Sequence, residues 1–255
     1  MLRRRDWQLV DNDVTFVDDL VLRPVRPWTA TIHALLEYLR GEGLTSVPEP
    51  VGMEGDVEAV RFIPGDSGGD AWPHQLDEEG VRSAARLLRE IHDASRGFAA
   101  PNRATWAIPP HPGSDVVCHG DPGPWNMVWD GPRAIGLIDW DLAHPAPAMG
   151  DVAYALEHFT PFRSDEIACD TTDGHHFPGP PDRRTRLSAF ASAYGLDSTA
   201  GLVDRVIDRQ AASITHVQDL AERRIQPQRS WVEEGYLDDL RGRLRWSREH
   251  RHLFE

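Results

Sequence analysis

The residues best suited to chemistry in this 255-residue chain lie in one stretch, Val116-Val117-Cys118-His119-Gly120-Asp121-Pro122-Gly123-Pro124-Trp125-Asn126, followed closely by Gly136-Leu137-Ile138-Asp139-Trp140-Asp141. An ionised carboxylate such as Asp121 only accepts hydrogen bonds, so it can orient a hydroxyl group and take its proton. An amide oxygen (Asn126) and a carboxylate (Asp139) are the hard ligands magnesium takes, with water and phosphate oxygens completing its shell. The spacing His-x-Asp-x-x-x-x-Asn is that of a kinase catalytic loop. Phosphoryl transfer asks a protein mainly for positioning and charge neutralisation. We therefore expect Asp121 as catalytic base, Asn126 and Asp139 as magnesium ligands, and Asp141 as a substrate contact or second metal ligand. Taken singly, each also suits a purely structural role, whether a turn before Pro122, a strand cap, a helix N-cap or a solvated carboxylate. The combination, in this order on loop and strand ends, favours chemistry. His119 is expected to hold the loop through a backbone hydrogen bond and not to react.

These residues need elements to place them. Short apolar strands are expected over 115–118, 127–129 and 134–138, the last two joined by the turn Asp130-Gly131-Pro132. Adjacent strands about 5 Å apart would bring Asp121, Asn126 and Asp139 to one rim. Upstream, residues 14–23 alternate as a hairpin turning at Asp18-Asp19, and Trp28, Ile32, Leu35, Leu36 and Leu39 mark a helix over 28–40 that closes at Gly41 and Gly43. Pro48 and Pro50 break the chain. A strand over 57–63 stops at Pro64-Gly65, and the Gly, Asp and Ser of 66–73 mark a junction. Downstream, Val81, Ala84, Ala85, Leu88 and Ile91 stripe a helix over 77–95. Helices are expected over 150–159, 187–194, 199–224 and 229–246, with a loop over 160–182. The pattern is α+β: a small β/α lobe over 1–65 and a larger, mostly helical lobe over 66–255.

Composition narrows the classes. The net charge is −14, which disfavours nucleic-acid and anionic-membrane partners and is compatible with a cationic small substrate or simply with solubility. Lysine is absent, so all 27 basic residues are arginine. That excludes a P-loop lysine, a Schiff base and the usual strand lysine of protein kinases. No apolar run approaches the ~20 residues of a membrane helix. Arg3 to Arg5 are followed by Asp6, Gln8, Asp11 and Asp13 where a signal peptide needs apolar residues. With only Cys118 and Cys169, the expected compartment is the reducing cytoplasm. Cys169, Asp170, Asp173, His175 and His176 have a metal-like composition but no zinc spacing, and read as a loop. His92-Asp93 resembles half of a phosphohydrolase metal site, though a helix stripe explains it better. Glu233, Glu234, Asp238 and Asp239 read as a solvated helix face.

At His119-Gly120-Asp121 through Asn126, Ile138-Asp139-Trp140-Asp141, Pro145 and Gly150-Asp151-Val152-Ala153-Tyr154, the chain resembles the aminoglycoside phosphotransferase family, with its choline and other small-molecule kinases. Ile91-His92-Asp93 and Phe62-Ile63-Pro64-Gly65 extend the match. The resemblance implies a two-lobed protein-kinase-like fold with ATP and magnesium between the lobes. It implies Asp121 as base, Asn126 and Asp139 on the metal, Asp151 bracing the catalytic loop, and the backbone of Arg61, Phe62 and Ile63 meeting adenine near a hinge at 61–65. Gly120 replaces the arginine that reads phosphorylation in protein kinases, so a small-molecule hydroxyl is the expected acceptor. Two features depart from the family. Its nucleotide-gripping lysine is missing, with Arg23 the best-placed substitute, and residues 6–22 hold no glycine-rich loop. His33 stands near the position of the lysine's partner glutamate, with Glu37 one turn on. The alternatives are a degenerate kinase that binds nucleotide or ligand without catalysis and, more weakly, a metal-dependent phosphohydrolase.

Overall fold

The computed structural model describes residues 14–170 and 176–255. The expectations for Arg3 to Arg5, for the rest of 1–13, and for Asp173 and His175 lie outside these residues. An antiparallel hairpin, β1 (Thr15–Val17) and β2 (Leu20–Pro24), turns at Asp18-Asp19 with Asp18 at φ 54°. Aspartate is among the few side chains that tolerate this left-handed region. Strand β2 pairs with β4 (Val57–Arg61), and β4 with β3 (Pro50–Glu54), giving the order β1-β2-β4-β3. Strand β3 corrects the expectation that prolines simply interrupt the chain here. Pro50 opens an edge strand, where its missing N–H costs no ladder bond, and a register shift between Pro50 and Gly52 follows.

Helix α1 (Thr29–Gly41) lies within a residue of its expected bounds. Its apolar stripe (Trp28, Ile32, Leu35, Leu36, Leu39) enters the same core as α2 (Glu78–Ser95), whose Val81, Ala84, Ala85, Leu88 and Ile91 are wholly buried. The small sheet keeps only a minor cluster of its own, Leu20, Leu22 and Ala59.

The central strands differ from expectation in their pairing. Strand β5 (Val116–Cys118) pairs not with its expected neighbours but with β8 (His144–Ala146), while β6 (Met127–Asp130) and β7 (Arg133–Leu137) form a separate hairpin. The two ribbons meet at the candidate site. Helices α3 (Met149–Phe159), the one-turn α4 (Asp165–Ala168), α5 (Arg183–Tyr194) and α6 (Leu202–Glu222) build the large lobe. The helix expected over 229–246 is two, α7 (Gln228–Glu233) and α8 (Tyr236–Glu249), separated at Gly235 with φ 92°. Among the described residues, no helix is long and apolar enough to cross a membrane.

Candidate active site

Strand β5 ends at Cys118, and the chain must then turn sharply to present Asp121. Gly120 makes the turn at φ +90°, and a Cβ there would lie 2.3 Å from the Leu142 carbonyl oxygen, so no larger residue fits. Asp151, buried in the first turn of α3, fastens this corner. Its carboxylate accepts from the backbone N–H of His119 (2.5 Å) and of Gly120 (2.9 Å), and from His92 Nε2 at 3.1 Å. His92 is held in turn by the Tyr194 hydroxyl at 2.7 Å. Burial pushes the Asp151 carboxyl up, yet the hydrogen bond and charge of His92 and the loop N–H donors outweigh it and hold the group at about 2. His92, which reads in the sequence as a helix stripe, is thus a buried link from α2 to the loop.

His119 ties the loop to the end of β7. Its Nε2 donates to the Ile138 carbonyl (2.9 Å) and its Nδ1 accepts from the Asp121 N–H (3.3 Å). Both ring nitrogens serve the neutral form, and burial lowers the pKa of this imidazole. The backbone N–H of Ile138 donates to the Asn126 carbonyl at 2.8 Å, which sets Asn126 beside the strand that delivers Asp139. Asp139 itself takes a left-handed conformation, φ 63° and ψ 63°. That strain on a non-glycine residue costs on the order of 1 kcal/mol and recurs where a side chain must be aimed.

Asp121 and Asn126 are locked together. Asn126 Nδ2 donates to Asp121 Oδ2 and to the Asp121 carbonyl, both at 2.9 Å, and Trp125 Nε1 donates weakly to the same Oδ2 at 3.4 Å. The other oxygen, Oδ1, is shielded from solvent with no group in hydrogen-bonding geometry, although the Tyr154 phenol faces the carboxylate. Burial, and then the charge of Asp139, push Asp121 up to about 6. The clamp on Oδ2 fixes the orientation of the carboxylate, with Oδ1 left toward Tyr154. With its amide N–H₂ committed to Asp121, Asn126 keeps its oxygen for a cation, and the Asp139 side chain is 53 % exposed. One amide oxygen and one accessible carboxylate, with Asp141 adjacent, are a donor set that fits magnesium.

Asp121, Asn126, Asp139 and Asp141 line one cavity of about 600 Å³. On its small-lobe side, Arg23 spans three carboxylates: Glu58 (2.9 Å), Asp139 (3.0 Å) and Asp141 (3.2 Å). Burial works against the guanidinium charge, but Asp141, Glu58 and Asp139 outweigh it and raise its pKa above the ordinary arginine value. Glu58 also accepts from His33 at 2.8 Å and is almost wholly buried. The partner of the substituted cation therefore comes from the neighbouring strand, where Arg23 and Glu58 stand opposite each other, and not from α1. Glu37 is exposed.

Arg61, Phe62 and Ile63 do not line the cavity. The Arg61 side chain pairs with Asp19, the Phe62 N–H donates to the Asp19 carbonyl (2.9 Å), and the Phe62 ring meets Phe16 edge-on at 5.8 Å. Ile63 packs on β7, where a Cβ at Gly136 would come within 3.1 Å of it.

A family model described as the phosphotransferase enzyme family matches residues 4–108 and 102–187. The chain belongs to this family. Among curated proteins, this phosphotransferase-family chain is 30% identical over 203 residues to the trifolitoxin immunity protein of Rhizobium leguminosarum bv. trifolii, covering 76% of the chain and 75% of that protein. Among solved structures, a choline/ethanolamine kinase family protein from Mesorhizobium loti superimposes with TM-score 0.56 at 14% identity, over 92% of this chain and 89% of that one. Aminoglycoside 2'-phosphotransferase-IIIa in its GDP complex gives 0.56 at 16% identity, over 91% and 88%. The AMP-bound spectinomycin phosphotransferase gives 0.56 at 13% identity, over 89% and 86%. These likenesses establish the α+β, protein-kinase-like fold.

Several residues at the site carry no sequence signal. Arg209 on α6 donates to the Gly120 carbonyl at 2.9 Å and lies 4.8 Å over the Tyr154 ring, so it fastens the Gly120 corner from a helix far along the chain. Glu58 could have been suspected as a carboxylate set among Val57, Ala59 and Val60. Tyr154 stands in the family-like stretch 150–154, but Arg209 and His158 become visible only once the helices are packed.

Proposed function

We propose that this phosphotransferase-family protein transfers the γ-phosphoryl group of ATP to a hydroxyl of a small molecule held in the cavity beside Asp121. The observation that carries the reading is the pair Asp121–Asn126, with Asp121 Oδ2 clamped by Asn126 on the wall of a cavity that Asp139 and Asp141 share. Asp121 orients the acceptor hydroxyl and takes its proton as the hydroxyl oxygen bonds to the γ-phosphorus. The bond to the β-phosphate oxygen breaks, leaving a phosphate monoester and ADP. Asn126 and Asp139 would hold magnesium, which neutralises phosphate charge when bound. Arg23 turns from Asp139 and Asp141 toward the phosphates, keeping Glu58 as its anchor. His119 and Asp151 hold the loop. In this reading residues 1–65 and 66–255 act as the two lobes, while the N–H groups of Arg61 and Phe62 are held by Glu49 and Asp19 and are not offered to adenine.

A second reading follows from the relative named as a trifolitoxin immunity protein: binding of nucleotide or of a toxin without phosphoryl transfer. A degenerate kinase of this kind fits the missing lysine and glycine-rich loop. Asp121→Asn separates the two. Slow turnover of γ-labelled ATP that disappears in the variant, while magnesium-ATP binding survives, is the expected result. Binding without turnover in the unaltered protein would sink the catalytic reading. The acidic residues Glu233, Glu234, Asp238 and Asp239 do not line the cavity, so the carboxylates it offers a cationic acceptor are Asp121, Asp139, Asp141 and Glu157.

A further inference from the structure

Beyond the catalytic carboxylates, the charge on the cavity wall is mostly positive. Arg163, Arg209 and Arg243 all line it, from the segment after α3, from α6 and from α8. Each is backed by an aromatic ring: Arg163 lies 5.4 Å over Trp72, Arg209 4.8 Å over Tyr154 and Arg243 5.7 Å over Tyr236. Among the described residues, no carboxylate comes within 4.0 Å of Arg209 or Arg243. The carboxylates sharing the wall are otherwise engaged. Asp139 and Asp141 pair with Arg23, Asp121 is the base, and Glu157 is buried beneath, bonded to Gln210 at 3.2 Å. Burial raises the Glu157 pKa, which further reduces its worth as a counter-charge. His158, between Trp125 and Tyr154, is pushed well below its ordinary pKa by burial and by the three guanidiniums, so it presents a neutral ring.

A cavity built to seat an amine would place carboxylates where these arginines stand. Guanidiniums preset by stacking, in a site sheltered from bulk water, are instead the fork that matches an oxyanion. We propose that the acceptor carries an oxyanion, carboxylate or phosphate, on a planar or apolar body, bound by Arg163, Arg209 and Arg243 with its hydroxyl at Asp121. The inference rests on the reading of this cavity as the acceptor site of the phosphotransferase. The aromatic walls suit the body, and Arg209, bonded to the Gly120 carbonyl, places a guanidinium close to the reacting hydroxyl.

The test uses four compounds of one skeleton: 3-phenyllactate, 3-phenylpropane-1,2-diol, its 1-phosphate, and phenylalaninol. Binding to the full chain is measured by ligand-observed NMR without nucleotide, for the wild type and for Arg243→Gln. The two anions are expected to bind at least about tenfold more tightly than the neutral diol, and phenylalaninol more weakly than either, as charge-assisted hydrogen bonds dictate. Which anion binds better distinguishes carboxylate from phosphate. Arg243→Gln should remove most of the anion advantage and leave the diol unchanged. A preference for phenylalaninol, anion binding indifferent to Arg243→Gln, or no anion binding at millimolar concentration would each overturn the proposal. Because no nucleotide is present, anion binding without any phosphoryl transfer would leave this inference standing and remove the catalytic reading instead.

Discussion

On the small-lobe side of Asp121 one guanidinium, Arg23, answers three carboxylates, whereas on the helical side Arg163, Arg209 and Arg243 share the cavity wall with one buried carboxylate, Glu157. Both regions are made by a chain that has no lysine. The difference shows what arginine does that lysine does not. A planar fork with five donors can satisfy Glu58, Asp139 and Asp141 together, and the same plane can stack on Trp72, Tyr154 or Tyr236 while its edge faces the cavity. In the first region a single guanidinium bonds all three carboxylates before any ligand arrives, and negative charge remains in excess, as suits a cation. In the second, Arg209 and Arg243 have no carboxylate within 4.0 Å among the described residues, and a ligand can complete their charge.

The sharpest way to break this comparison is to remove one arginine from each side. Arg23→Met should destabilise the fold by about 3–5 kcal/mol in chemical denaturation, because it strands buried Glu58 beside two further carboxylates. Arg243→Gln should change stability by no more than about 0.5 kcal/mol, since it relieves repulsion without breaking an ion pair. Equal effects would mean that the two regions are not differently balanced.

Next in size is Asp121. Its pKa is raised from 3.8 to about 6, so the folded state binds this proton more tightly than the unfolded chain does. The associated stability is fully present below about pH 4 and is lost as pH rises through about 6. Asp121→Asn should therefore stabilise the protein at neutral pH by on the order of 1–3 kcal/mol and flatten that part of the pH–stability curve. If Asp121 is the base, turnover of the unaltered enzyme must rise across the same interval as the carboxylate ionises. Melting curves and initial rates at several pH values check both statements.

Gly120→Ala is expected to cost about 1–3 kcal/mol, since the new Cβ would meet the Leu142 carbonyl at a positive φ. Turnover should fall with it, through displacement of the Asp121 loop, as read by denaturation and rate assays together. The smallest effect belongs to Glu37→Ala. Exposed on α1 and displaced by Glu58 as the partner of Arg23, Glu37 should matter by less than about 0.5 kcal/mol and leave nucleotide affinity unchanged.

Local patterns make much of this legible in the sequence. The stripes of α1 and α2, the Asp18-Asp19 turn and the run from His119 to Asp141 each announce themselves within a few residues. What escapes is either disguised by proline or assembled over distance. Strand β3 begins at Pro50 and β8 contains Pro145, and both are short strands that survive because proline sits where no ladder N–H is required. Pairing of β5 with β8 instead of β6 follows from the return of the chain after Leu142, which no periodicity records. Arg23 is recognisable from its place on a strand, but its partner Glu58 lies 35 residues away. Arg209 reaches the Gly120 carbonyl across 89 residues. Such contacts depend on helix packing and carry no local signature.

The central claim is that Asn126 and Asp139 form the metal side of a nucleotide site facing Asp121. Calorimetric titration with ATP, with and without magnesium, tests it most directly when the wild type is set beside Asp139→Asn. Binding that requires magnesium in the wild type and is largely lost in the variant is the predicted result. ATP affinity indifferent both to the metal and to the substitution would contradict it.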